Sequence, residues 1–284
     1  MNEMTYNEAI EWMDSRHWSG TGKGIVRSQE LLERLAILGN PQDQLKFVHV
    51  AGTNGKGSVC ACLSKILTAA GYQVGLFVSP HLKRFNDRIY FNGTEIGDED
   101  FARLASRIRT QAEVMKDAPT VFEIMTAMGM LYFAEKQCDI VMLEVGMGGR
   151  LDSAVITSIG LDHTKELGDT LEKIAGEKGG IIKTGGTVIV DGSNTAVMPV
   201  FEKICQETGA SLVASAPEQI QNVVLSPAGE GFDYKDLKEL PLSLTGVYQM
   251  NNAAVVIETV RVLEQKGYRI DETALRKGLS EVYW

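Results

Sequence analysis

Val48-His-Val-Ala-Gly-Thr-Asn-Gly-Lys-Gly-Ser58 passes from an apolar strand through a glycine-rich turn with one lysine and one hydroxyl. Val59, Leu63, Ile66, Leu67 and Ala70 then recur at helical spacing until Gly71 stops the helix. A phosphate chain needs that order of parts. Glycines at 52, 55 and 57 let backbone N–H groups close around phosphate oxygens, and the helix N-terminus adds its partial positive charge. Lys56 supplies a point charge for the outer phosphates and Ser58 a hydroxyl ligand for Mg²⁺. Gly57 separates the lysine from the hydroxyl, where the common P-loop has them adjacent. The plainer reading of the loop alone is a strand-to-helix turn with a surface lysine, and downstream residues decide between the two.

With 284 residues, 44 % of them apolar, the chain can bury a large core as one big or two small domains. A net charge of −9 argues against nucleic acid as a partner. Positive charge is local instead, at Lys83, Arg84, Arg88 and Arg150, which suits a small anionic ligand. Cys60, Cys62, Cys138 and Cys205 show no metal-type spacing and read as reduced thiols. No apolar run approaches membrane-spanning length and the polar N-terminus lacks a signal peptide, so a soluble cytoplasmic protein is expected.

Residues 5–40 read as helical, ending near Gly39-Asn-Pro41. Strands are expected at 46–50, 73–78, 139–145, 155–161, 187–191 and 211–214, and helices at 98–116, 119–136, 170–182, 196–208, 250–266 and 271–280. Runs such as Ile140-Val-Met-Leu143 lack alternation, as in strands buried on both faces. The fold class is therefore α/β, a mostly parallel sheet flanked by helices. Residues 215–247 carry Pro217, Pro227, Gly229 and Gly231 and read as a small irregular or antiparallel excursion.

In a parallel sheet, ligands gather where the strands end. Strand 46–50 leads into the phosphate loop and strand 73–78 into Ser79-Pro-His-Leu82. Strand 139–145 ends in Glu144-Val-Gly-Met-Gly-Gly-Arg150-Leu-Asp152, and strand 155–161 in Asp162-His163. Glu144, His163 and the hydroxyls of Ser58 and Ser79 are expected to converge beside the phosphates, a donor set suited to Mg²⁺. Lys178, in Ala175-Gly-Glu-Lys-Gly-Gly-Ile-Ile-Lys183, reads on its own as a charged helix-surface position.

Taken together, AGTNGKGS, SPHL with RFNDRI, EVGMGGRLD, LDHT and GEKGGIIK resemble the folylpolyglutamate synthase and dihydrofolate synthase family, within the Mur-type ATP-dependent amide ligases. Leu38-Gly-Asn-Pro-Gln42 and Tyr248-Gln-Met-Asn-Asn252 extend the resemblance over nearly the whole chain. It implies a fold like the Mur-ligase central domain. Gly52, Thr53, Asn54, Gly55, Lys56, Gly57 and Ser58 would hold the β and γ phosphates of ATP, and Asn252 would face the adenine. Ser58, Ser79, Glu144 and His163 match positions that bind two Mg²⁺ ions, and Lys178 matches a lysine that CO₂ converts to a carbamate. Burial or nearby cations should depress the pKa of such a lysine. Pro80, His81, Arg150 and Asp152 would border the folate. Lys56, Glu144, His163 and Lys178 carry the catalytic assignment.

The implied reaction activates a folate or dihydropteroate carboxylate as an acyl phosphate, which the amine of L-glutamate then attacks. Family members continue past a tryptophan like Trp284 into a second α/β domain. The expectation is therefore an ATP- and folate-binding ligase domain over 1–284 that lacks its glutamate-ligase half and turns over poorly, as a monomer. Gly179 and Thr184 stand where the family commonly has alanine and proline. Two other readings stay open: a Mur-type ligase for another carboxylate acceptor, and a nucleotide-binding module without catalysis.

Overall fold

The computed structural model describes residues 3–17, 24–35, 45–81, 83–144, 151–162, 168–226 and 229–283. β1 (Phe47–Ala51) is buried at every position, because its neighbours on both sides run parallel to it and helices cover both faces. β2 (Val74–Phe77), β5 (Ile140–Glu144), β6 (Leu151–Ile156), β7 (Thr187–Val190) and β8 (Ser211–Ala214) extend the parallel array. β3 (Ile89–Phe91) and β4 (Thr94–Glu95) finish one edge antiparallel. The order across the sheet is β4-β3-β2-β5-β1-β6-β7-β8.

Alternate residues of each strand go to opposite layers. Val48, Val50, Ile140 and Met142 pack into a core shared with α3 (Lys56–Ala69), α8 (Gln249–Gln265) and α9 (Glu272–Glu281). Phe47, Val141 and Leu143 point the other way, into α1 (Tyr6–Asp14), α2 (Gly24–Leu35), α4 (Asp98–Ala112) and α5 (Val121–Glu135). α6 (Leu171–Gly179) and α7 (Met198–Thr208) cover β6 and β7 through Ile174, Ala175 and Phe201. Thr120 and Glu123 form a capping box that starts α5, and Glu123 also accepts from Arg27 of α2 at 3.0 Å, a buried pair joining the two helices.

α9 rides directly on the phosphate-loop helix. A Cβ placed on Gly278 would lie 2.4 Å from Ile66 Cγ1 and 2.6 Å from Ile66 Cα. Gly278→Ala must therefore push the two helices apart. Urea denaturation is expected to show a loss of about 3 kcal/mol; unchanged stability would mean that the contact yields without strain.

The expected strands at 46–50, 73–78, 139–145, 187–191 and 211–214 appear within a residue of their bounds. The strand expected at 155–161 is displaced. β6 spans Leu151–Ile156 and stops where its partner β1 stops, at the pair Ala51↔Ile156, because beyond it β1 bends into the phosphate loop. Within the helical stretch expected over 5–40, the described residues form α1 and α2, with 18–23 and the end near Pro41 outside them. The excursion at 215–247 is more regular than expected. After a short 3₁₀ turn, β9 (Ile220–Ser226), β10 (Gly229–Tyr234) and β11 (Leu237–Leu242) form an antiparallel sheet ordered β11-β10-β9. Phe232, Tyr234, Leu240 and Leu242 anchor it to the α8 and α9 side of the core.

Candidate active site

The turn after β1 takes the shape its glycines permit. Gly55 sits at φ +84 as the N-cap of α3, without a capping side chain, so the helix opens with its backbone N–H groups unshielded. Asn252 of α8 packs against this turn: a Cβ on Gly55 would fall 2.3 Å from Asn252 Oδ1. Lys56 folds back over the loop, donating to Thr53 O at 2.9 Å. Its Nζ also stands 3.9 Å from Glu144 Oε1 at the end of β5.

The residues just past β6 brace the loop. Thr53 N donates to Ser158 O at 2.8 Å, and Gly160 N donates to Thr53 Oγ1 at 3.0 Å. Thr157 Oγ1 donates to Asn54 O at 2.7 Å, and Ser158 Oγ reaches the same carbonyl at 3.3 Å. Sequence reading assigned Thr157 and Ser158 to strand and missed this role. Two adjacent hydroxyl residues inside an apolar run, Val155-Ile-Thr-Ser-Ile159, were the available signal. Thr157 also explains Gly52, whose φ is +147 and whose Cβ would lie 1.9 Å from Thr157 Oγ1. Gly52→Ala is expected to cost about 2–3 kcal/mol of stability and to weaken nucleotide binding. Thermal melts and nucleotide titration check this, and a variant that melts and binds like the parent would refute it.

Glu144 is 5 % exposed, and burial pushes its pKa up. Lys56, the Ser79 N–H at 3.4 Å and Arg88 pull it back without cancelling the effect. Burial wins over the ion pair because Lys56 is nearly 4 Å away and forms no direct hydrogen bond to the carboxylate. A buried carboxylate held this way favours any added positive charge. Lys178, half-buried at the last turn of α6, has its pKa lowered by burial first and by Lys56 second, with Asp162 opposing. The two depressing influences expected for this lysine are therefore both present, and Lys178 lies within electrostatic reach of Lys56.

Ser79 precedes a cis peptide to Pro80. His81 lies tilted against Phe85 at 4.9 Å between ring centroids, and its Nδ1 accepts from the buried Arg88 Nε at 3.1 Å. A cavity of about 530 Å³ opens beside it, lined by Tyr6, Ile10 and Asp14 of the α1 side and by Lys83, Arg84 and Phe85. Gly57 and Ser58 lie in the first turn of α3, and Ser58 Oγ accepts from Gln249 Nε2 at 3.3 Å. His163 and Arg150 lie outside the described residues; Asp152 is in β6, with its side chain outside them. Among the described residues no group of three or more His, Cys, Asp or Glu is placed to hold a metal ion. The described part of the expected Mg²⁺ set is one carboxylate and two hydroxyl residues, an all-oxygen chemistry that suits a hard cation. All four cysteines are buried and unpaired with one another, and among the described residues no helix is long and apolar enough to cross a membrane.

A parallel sheet with a glycine loop, a lysine and a buried glutamate at its strand ends has the parts that suit a bound nucleotide. Residues 50–260 match the Mur ligase middle domain. A dihydrofolate synthase/folylpolyglutamate synthase of Bacillus subtilis is 38 % identical over 98 % of this chain and 69 % of its own length. The apo form of L. casei FPGS superposes with a TM-score of 0.91 at 31 % identity, covering 99 % of this chain and 72 % of that one. A structure described as an FPGS-AMPPCP-folate complex gives a TM-score of 0.90 at 31 % identity, with the same coverage. The chain belongs to the folylpolyglutamate synthase/dihydrofolate synthase family of ATP-dependent ligases.

Proposed function

We propose that residues 1–284 form an ATP- and folate-binding ligase unit that adds L-glutamate to a folate or dihydropteroate carboxylate. The observation that carries this reading is Lys56 on the glycine loop, 3.9 Å from Glu144 and within electrostatic reach of Lys178. The relatives bearing both synthase names, and the neighbour described with a nucleotide analogue and folate, support it.

The backbone of residues 52–58 cradles the outer phosphates, and Lys56 leaves Glu144 to neutralise them. Asn252, packed on Gly55, meets the adenine end. Pro80 and His81 border the acceptor, which enters through the cavity between α1 and Phe85, with Arg150 and Asp152 at its edge. A carboxylate oxygen of the acceptor attacks the γ-phosphorus, the bond to the β-phosphate bridge breaks, and ADP leaves. The amine of L-glutamate then attacks the acyl carbon, phosphate departs, and the amine loses its proton. Both attacks bring anions together, so the protein's part is mainly charge neutralisation and positioning. Ser58, Ser79, Glu144 and His163 would hold Mg²⁺, which when bound screens phosphate charge. Lys178 as a carbamate would add a carboxylate to that set.

The test is phosphate release from ATP with Mg²⁺, bicarbonate, L-glutamate and either dihydropteroate or tetrahydrofolate. Release that requires one acceptor and L-glutamate is expected and names the substrate. ADP binding without acceptor-dependent release would reduce the reading to a nucleotide-binding unit, and no nucleotide binding would end it.

A further inference from the structure

Gln249 opens α8 at 9 % exposure, and the mechanism above gives it no task. Its amide orientation is set by a neighbour one helical turn on. Asn252 Nδ2 donates to Gln249 Oε1 at 2.9 Å, which leaves Gln249 Nε2 to donate to Ser58 Oγ at 3.3 Å. The same Asn252 rests against Gly55, so one pair of amides touches the phosphate loop at both its turn and its hydroxyl. The turn into α8 is itself tied down, since Gly246 N donates to the buried Glu230 Oε1 at 2.7 Å.

A serine hydroxyl has one O–H and two lone pairs, and an unrestrained one in a helix turns its proton back onto a backbone carbonyl. Gln249 occupies one lone pair of Ser58 and stops that free rotation. We propose that Gln249 is a positioning residue for Ser58, holding its oxygen with the second lone pair presented to a Mg²⁺-bound nucleotide. The assignment rests on the reading of Ser58 as a Mg²⁺-holding hydroxyl beside the phosphates. α8 thereby reports its placement at the base end of the nucleotide to the metal-holding oxygen at the phosphate end.

The experiment is calorimetric titration of ADP, with Mg²⁺ and with EDTA, into the whole chain, Gln249→Met, Ser58→Ala and the double variant, each with a thermal melt. In the parent chain Mg²⁺ is expected to tighten ADP binding. Gln249→Met is expected to lose about 3- to 10-fold of that increment, the size of one hydrogen bond, while metal-free affinity stays within about twofold. In the Ser58→Ala background the same change is expected to cost nothing further, because the two residues act as one unit. Gln249→Leu supplies the comparison if Gln249→Met melts too low. Equal losses with and without Mg²⁺, an unchanged increment, or additive losses in the double variant would overturn the assignment while leaving the nucleotide reading standing. A parent chain that binds no ADP would remove the nucleotide reading, and one with no Mg²⁺ increment would remove the role of Ser58.

Discussion

Lys56→Met is expected to reduce ATP-dependent phosphate release by about 10²- to 10³-fold, the scale seen when one preorganised charge or donor is lost. The aliphatic stem is kept, so the effect reports the ammonium. Lys56 is also the main charge offsetting the burial of Glu144, and its removal drives the Glu144 pKa higher still. The sign of the stability change follows. A carboxyl whose folded pKa is raised binds its proton more readily folded than unfolded. Its favourable contribution is complete below the ordinary carboxylate range and is lost as pH rises through the folded value. In Lys56→Met that loss sets in at the same ordinary carboxylate value, runs on to a higher pH and is larger once complete. Urea denaturation should therefore show parent and variant closer at about pH 5 than at about pH 8. A pH-independent gap would mean that Lys56 does not hold down the pKa of Glu144, and retained phosphate release would mean that its ammonium is not needed for the reaction.

The second large effect concerns Lys178. Lys178→Arg keeps a long cation but removes the amine proposed to react with CO₂, and phosphate release is expected to fall by at least about 10²-fold. Loss of one proton gives the neutral amine, whose attack on CO₂ forms an N–C bond and releases a second proton, so that a cation becomes an anion. Burial and Lys56 favour that neutral amine. Removing CO₂ from the buffer should slow the parent chain and bicarbonate should restore it, with no response from Lys178→Arg. ¹³C-labelled bicarbonate should give a carbamate resonance in the parent alone. Full activity in CO₂-free buffer would sink the assignment. A lysine pKa lowered by folding also makes stability rise with pH between the folded and ordinary values, opposite in sign to Glu144.

Much of this arrangement was legible in the letters, for reasons specific to each part. Apolar runs of strand length such as Ile140–Leu143 announced strands buried on both faces, and the glycine loop announced its own turn. The error at 155–161 arose because Val155, Ile156, Ile159 and Leu161 look like one strand, whereas pairing, which no local pattern carries, ends at Ile156. The bracing by Thr157 and the reach of Gln249 to Ser58 depend on contacts across about 100 to 190 residues of chain, so single-residue chemistry did not single them out. Arg27 with Glu123 was hidden for the same reason.

β1 occupies the middle of the sheet, but its partners β5 and β6 arrive late, pairing Phe47 with Val141 and with Leu151. The segment that supplies the phosphate loop is thus made early and must wait, unpaired, for nearly a hundred residues more. Such high contact order slows folding and leaves an apolar strand exposed during synthesis. The seat for a nucleotide closes only when Thr157 reaches Asn54, near the end of that wait. Nucleotide in the cell would therefore act on the last stage of assembly, drawing nearly folded chains into the native state by mass action.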